Sequence, residues 1–358
     1  METFINIRSA AHQLRKPDFE RPGEVVKWMG ALQGQDYKMS KWAIGLRTKG
    51  GTLSMVNEAL RTGEIARTHV MRPTWHWVAG CDLRWMLKLS AGRVRKAIDQ
   101  WTKGCGVDIS ENQYAKCNDW FVRWLSGGRS LTKEELTAEF QRVGLPADDH
   151  RVRRYLLRAE VEGIICSGED KKDKPTYTLL EEHLAPAPDW SREEALAELA
   201  CRYFRSHAPA TLKDFVWWSG LTATEAKQAV ALAGGQLAKE RYKEQEFLSH
   251  VACREADPET IVHLLPPYDE YLVGYKERQM VIDPAHYAKA FNKWGIFYPV
   301  VFWNGQIIGN WSKTIKRGQP SVSLSFFDSA FSSSIDREEL ERAQKRLKEW
   351  GADRYTKK

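Results

Sequence analysis

A mainly α fold with a β-rich C-terminal region (α+β) is what this sequence predicts, and three observations predict it. Residues 130–180 read as helix, turn, helix, hairpin. The same order recurs over 191–250, and after about residue 255 the texture turns to short strands split by tight-turn residues. Helix, turn, helix, hairpin is the order of a winged helix, so the sequence predicts three tandem winged-helix-like units ahead of a C-terminal β-rich domain.

The first unit, residues 1–105, offers short helices, strands at Ile65–His69 and Thr74–Ala79, and a long helix from Cys81 to about Trp101. The second, 106–185, carries the clearest signals. Thr132 with Glu135 three residues on is a capping box, and Gly144-Leu145-Pro146 is a stop signal. A second helix from Asp148 places Val152, Tyr155, Leu156 and Ala159 at helical spacing. Gly163–Ser167, a charged tip and Thr176–Leu180 then read as strand, turn, strand. The second helix carries Arg151, Arg153, Arg154 and Arg158, either as a groove-reading face or as a solvated one. The Pro-rich stretch Ala185-Pro186-Ala187-Pro188-Asp189 is a linker. In the third unit, 189–255, Thr211 and Thr222 begin capped helices and Gln236 onward reads as a hairpin. The last domain, 256–358, offers strands at Ile261–Leu265, Tyr298–Trp303, Gln306–Asn310 and Ser321–Phe327. Asn304-Gly305 between two apolar runs is a two-residue hairpin turn, and a helix from Asp336 to Trp350 closes the chain.

Composition narrows the function. The chain has 358 residues, 42% hydrophobic and 28% charged, which is a folded, multi-domain composition. No window approaches eighteen apolar residues, so no membrane span is expected, and the charged start Met1–Phe19 lacks a secretory h-region. The expectation is a cytoplasmic protein. Six cysteines without a CxxC pair and nine histidines without HxxxH spacing predict reduced thiols and neither metal nor cofactor. A net charge of +7 makes a polyanionic partner plausible. The 15 tryptophans are many for this length; most should fill core, and flat rings can also stack on extruded bases.

No GxxxxGK[ST], GxGxxG, GxSxG, HExxH or zinc-deaminase signature occurs, which disfavours nucleotide hydrolysis, simple serine hydrolysis and zinc peptidase chemistry. What remains is Leu32-Gln33-Gly34-Gln35-Asp36, between two amphipathic helices. Residues two apart share one side of an extended turn, so Gln33 and Gln35 either aim both amides into one pocket or serve as ordinary capping groups. Later, Ala66–Trp77 interleaves Arg67, His69, Arg72 and His76 with Trp75 and Trp77. The cations could contact phosphate or a base, and Trp75 could stack or pack. Trp75 and Trp77 share one strand face and His76 the other, so at least one face is core.

Together, Leu32–Gln35 and Ala66–Trp77 resemble the catalytic region of the tandem winged-helix DNA glycosylases that unhook interstrand crosslinks and excise N7-alkylated guanines. Leu264-Leu265-Pro266-Pro267-Tyr268-Asp269-Glu270-Tyr271-Leu272-Val273-Gly274-Tyr275-Lys276-Glu277-Arg278 resembles a second signature stretch of that family. The resemblance runs loosely along nearly the whole chain. It implies three winged helices set as a concave clamp, a C-terminal β-barrel, and a glutamine pair, here Gln33 and Gln35, holding the catalytic water. Gly34 is smaller than the family's usual central residue. The implied partner is double-stranded DNA with alkylated bases; the absence of an evident amine nucleophile near Gln33 predicts a monofunctional route.

Other candidate DNA contacts are Arg153 and Arg154 on the second-unit helix, the Asn304-Gly305 turn, which is either a groove probe or a barrel turn, and the basic run Lys313, Lys316, Arg317. A winged-helix regulator without catalysis would bind sequence-specifically, as a dimer. A scaffold for protein partners would show no salt-dependent DNA affinity. No dimerisation helix is evident, so a monomer is expected.

Overall fold

The computed structural model of the chain describes residues 1–187, 189–255, 260–316 and 319–350. These fold as two compact units, one made of residues 1–56 with 196 onward, the other of residues 57–195. Among the described residues, no helix is long and apolar enough to cross a membrane.

The larger unit is built on an antiparallel sheet of four strands in the order Gln319–Phe326, Gln306–Lys316, Val300–Trp303, Val262–Leu265. This corrects the expected barrel: among the described residues the sheet stays open. Four strands are too few to close around a packed interior. The outer strand instead shows its Leu264 carbonyl to the indole N–H of Trp42, 2.8 Å away, and packs under the helix Arg337–Glu349. That helix starts where the sequence predicts, with Asp336 accepting from the Glu339 amide at 3.0 Å. The apolar side of the sheet, including Leu264, Val300, Phe302 and Ile308, shares one core with Trp42, Tyr271 and Leu347.

The turn Asn304-Gly305 has both residues at positive φ, +48° and +92°, the signature of the favoured hairpin connection. Gly305 is buried. A Cβ there would lie 2.1 Å from Cγ2 of Ile5 on the helix Glu2–Ala11, and its carbonyl accepts from the Tyr271 hydroxyl at 2.8 Å. The Asn304 side chain is also engaged, its Oδ1 accepting from the Ile261 amide at 2.8 Å. The turn therefore packs inside its own unit, which corrects its reading as a groove probe.

A buried ion pair locks the helix Tyr37–Leu46 to the turn before the helix Glu270–Val273. Arg47, next after the first helix, meets Asp269 through two parallel bonds, Nη1 to Oδ2 at 2.9 Å and Nη2 to Oδ1 at 2.8 Å. Both side chains are essentially fully buried, so each charge depends on the other. Asp269 Oδ1 also accepts from the Tyr271 amide, capping the short helix.

In the smaller unit the hairpin Ile65–His69/Trp75–Ala79 is antiparallel with His69 opposite Trp75 and Thr68 opposite His76. The long helix runs Leu83–Gly104. Thr132 caps Lys133–Arg142 with the expected capping box, its hydroxyl accepting from the Glu135 amide and Glu135 reaching back to the Thr132 amide at 2.7 Å. Asp148 caps Asp149–Val161, and strands Ile165–Lys171 and Lys174–Leu179 form the following hairpin. The buried face of this segment is the one the helical spacing predicts, with Val152, Tyr155, Leu156 and Ala159 in one cluster.

Asp269→Ala should cost about 3–5 kcal/mol of unfolding free energy, because it leaves the Arg47 guanidinium buried without its carboxylate. Urea denaturation of the variant against the wild type measures this, and a loss under about 1 kcal/mol contradicts the assignment.

Candidate active site

The Gln-x-Gln motif lies in the larger unit. Pro22 starts the preceding helix, Pro22–Met29, and Gly30 at φ +75° ends it. Leu32 and Gln33 are then extended. Asp36 caps the next helix, Tyr37–Leu46, by accepting from the Met39 amide at 2.9 Å. Gln33 is buried (7% exposed) and Gln35 is exposed. The motif thus passes from core to surface within two residues, just ahead of a helix N-terminus.

Gln33 is held by Glu270, a residue the sequence placed in a signature stretch without giving it a role. Its carboxylate is fully buried. Oε2 accepts the Gln33 backbone N–H at 2.9 Å and Oε1 accepts the Trp218 indole N–H at 2.8 Å. A desolvated carboxylate must collect donors of this kind. His207 Nε2 stands 3.6 Å from Oε1, with no hydrogen-bond partner of its own. His207 Nδ1 meets the Ser206 hydroxyl at 2.8 Å, and its ring stacks on Tyr203 at 4.6 Å. A Cβ on Gly274 would fall 2.7 Å from the His207 ring, so the close approach needs glycine.

Behind His207, the His12 ring packs edge-on at 4.8 Å. His12 Nε2 lies 2.8 Å from the Tyr275 hydroxyl, which donates its single proton to the His207 carbonyl at 2.9 Å. His12 Nε2 must therefore be the donor in that pair. Burial pushes His12 well below the usual histidine range, with His207, Arg47 and Arg8 nearby adding to the effect. Burial also pushes His207 down, against the pull of Glu270. Both rings are neutral at pH 7.

On the surface side of the motif stands Tyr268, in the left-handed region at φ +59°. Burial, then the Asp36 carboxylate and the Tyr298 phenol, push its hydroxyl up.

The other predicted contacts divide clearly. In the smaller unit Arg67, His69 and Trp75 come together: the Arg67 guanidinium lies 4.3 Å from the Trp75 ring centroid, and the His69 and Trp75 rings are 4.4 Å apart. His69 Nδ1 meets Glu160 Oε2 at 2.5 Å. Arg72 Nη2 lies 3.1 Å from His76 Nε2. The expectation of phosphate contact at Arg67, His69 and His76 is corrected, because all three are buried. His76 and Trp77 are both buried, so both strand faces are core, beyond the minimum the alternation required.

Arg154, expected to reach DNA, is also buried, its guanidinium 3.6 Å from the centroid of Trp101. Arg158 is buried against Glu111 at 2.6 Å. Arg153 is exposed and pairs with Asp149 at 2.8 Å, a weak surface pair that a phosphate could replace. Lys313 Nζ donates to the Leu347 carbonyl at 2.9 Å in the last turn of the C-terminal helix, where a cation suits the dipole. Lys313 is otherwise exposed. Lys316 ends its strand opposite Gln319, and Arg317 lies outside the described residues.

The sequence profile of the family described as DNA glycosylase AlkZ-like matches residues 26–350. This chain belongs to that family. It is therefore a glycosylase, a hydrolase of N-glycosidic bonds in DNA. It is 24% identical over 310 residues to a protein of Streptomyces sahachiroi named Interstrand DNA cross-link repair glycosylase, covering 80% of this chain and 81% of that one. Among solved structures it resembles Streptomyces sahachiroi DNA glycosylase AlkZ, with a TM-score of 0.74 and 20% identity over 96% of this chain and 94% of that one. The matched span of the AlkZ-like profile takes in the Gln-x-Gln motif, Tyr268 and Glu270 alike.

The two neutral histidines give this AlkZ-like chain an acid limit. Their folded values lie below the unfolded 6.5, so below about pH 6.5 the unfolded chain takes up protons that the folded chain refuses. Stability is then complete above pH 6.5 and falls as the pH drops through that value. Urea unfolding from pH 8 to pH 5 should show the fall, and His12→Gln should lessen it without abolishing it, because buried His207 and His263 are also held down; a wild-type profile flat across that range contradicts the reading.

Proposed function

We propose that this chain hydrolyses the N-glycosidic bond of cationic N7-alkylated purines in duplex DNA, crosslinked adducts included, with Gln33 and Gln35 positioning the water. The crosslink part extends the function named for its Streptomyces relative. The observation that carries the reading is the fixed Gln33 backbone, clamped by the buried Glu270 carboxylate, with Gln35 exposed two residues on. A clamp of this kind fixes the backbone that carries the Gln33 side chain, while Gln35 is open to substrate.

The chemistry suits these residues. An N7-alkylguanine already carries positive charge, so it can leave without a strong general acid. The sugar then develops oxocarbenium character, and the enzyme must place a water on its open face. An amide oxygen is far too weakly basic to deprotonate that water at neutral pH. It can orient the water and point its carbonyl dipole at the growing positive charge, which is positioning with electrostatics. A neutral lesion leaves less readily and would need a general acid that a glutamine pair does not supply. Cationic purines should therefore be preferred over uracil or 8-oxoguanine.

In this reading the segments 1–105, 106–185 and 189–255 serve as winged-helix-like units and the enzyme works as a monomer. Phosphate contact falls to exposed cations such as Arg153. If several cations act this way, affinity should fall steeply with salt.

The test is a duplex containing one N7-methylguanine, incubated with enzyme and then cleaved at abasic sites with alkali. Wild type should break the strand, and Gln33→Ala and Gln35→Ala should each slow single-turnover excision by about 100-fold, the scale of a lost positioning or dipolar contact. Equal or better excision of uracil, or full activity in both variants, would overturn the proposal.

A further inference from the structure

Close to the motif, in the same unit, is a feature that excision chemistry does not use. Residues 291–298 form a tight loop that carries Trp294 at its tip, 79% exposed, with Ile296 and Tyr298 also exposed beside it. A tryptophan this exposed is costly to leave in water unless something covers it in use.

The loop is stiff. The Asn292 amide donates to the Ile296 carbonyl at 3.0 Å, and the Gly295 amide donates to the Asn292 carbonyl at 3.1 Å. The Asn292 side chain ties the tip, its Oδ1 accepting from the amides of Trp294 at 2.9 Å and Ile296 at 3.1 Å. Below the tip, Phe291 and Phe297 stack at 5.3 Å. The Arg278 guanidinium lies 4.9 and 5.0 Å from their centroids, and its Nε donates to the Leu272 carbonyl at 2.7 Å. An exposed ring on a preorganised base loses little conformational freedom when it is covered.

Position and charge say what covers it. Phe297 packs 6.2 Å from the Tyr268 ring, and Tyr268 senses both Asp36 of the Gln-x-Gln stretch and Tyr298 of the loop. Lys293, beside the tip, holds its ammonium 5.1 Å from the Trp294 centroid. A flat apolar ring with a cation next to it matches a base step and its flanking phosphate.

We propose that the Trp294 loop is a DNA wedge: the indole inserts at a base step beside the lesion while Lys293 contacts the adjoining phosphate. The proposal rests on the glycosylase reading for its partner and adds to it how the duplex is opened near the glutamine pair. A partner protein seated on the same ring is the competing outcome.

The experiment uses the whole protein and duplexes carrying 2-aminopurine next to N7-methylguanine, or next to guanine. Wild type should raise the 2-aminopurine fluorescence on binding, which reports lost stacking. Trp294→Ala should abolish that rise and weaken binding by about tenfold, within the range for a lost base–aromatic stack, and Trp294→Phe should retain much of both. Lys293→Gln should keep the fluorescence rise and lower the slope of log affinity against log salt by about one. Unchanged fluorescence and affinity in Trp294→Ala would overturn the proposal and leave the ring to a protein partner. If wild type excises no N7-methylguanine yet the fluorescence rise still depends on Trp294, the wedge stands and the substrate reading fails.

Discussion

The Glu270 carboxylate is the constraint on which the rest of the site depends. Removed from water, it takes the N–H of Gln33 and the indole of Trp218, and so joins a two-residue extended segment to the helix Leu212–Ser219. Next to it in sequence, Asp269 holds Arg47 at the far end of the motif helix. Two adjacent acids thus fix both sides of the Gln-x-Gln stretch, one by its backbone and one through the helix that follows. Buried acids of this kind add little net stability once their desolvation is counted, but they tolerate very few geometries. A site that works by placing a water needs that intolerance more than it needs stability.

The same logic explains the neutral rings behind Glu270. His207 and His12 are buried against each other and against Tyr275, with Arg8 and Arg47 in range. Charging either ring there would cost desolvation first, with Arg8 and Arg47 adding to it and, at His207, only Glu270 pulling the other way. Their neutrality keeps the shell of aromatic contacts with Tyr203, Trp218 and Tyr275 intact. The smaller unit solves a similar problem differently, pairing buried His69 with Glu160 and spreading the Arg67 guanidinium over Trp75. In both units, cations that look like DNA ligands in the sequence serve first as internal braces.

Reading the Arg-rich helix Asp149–Val161 shows why. Residues 151, 153, 154 and 158 are all arginine, but a helix turns 100° per residue, so 154 and 158 share a face with 155 and 159. That face is core, and Arg154 and Arg158 lie on Trp101 and Tyr114. The spacing was legible in advance; the partner surface was not, because Trp101 belongs to another helix. The Asn304-Gly305 turn is a second instance. Its conformation followed from the dipeptide, whereas its burial depended on Ile5 and Tyr271, 300 and 34 residues from Gly305 in sequence.

Local rules therefore settled most of the element boundaries. Capping boxes at Thr132, Thr211 and Thr222, the caps at Asp148 and Asp336, and the turn at Asn304 act over three or four residues, so the sequence alone carries them. The Gln-x-Gln motif was visible in the same way, and the matched family profile covers it. Tertiary structure decided what long-range partners decide: which arginines are internal, that among the described residues the C-terminal sheet stays open under its helix, and that Glu270 accepts the Gln33 amide. Hydrogen bonds and desolvation act between groups brought together from 237 residues apart, and no window of sequence contains both ends of such a bond.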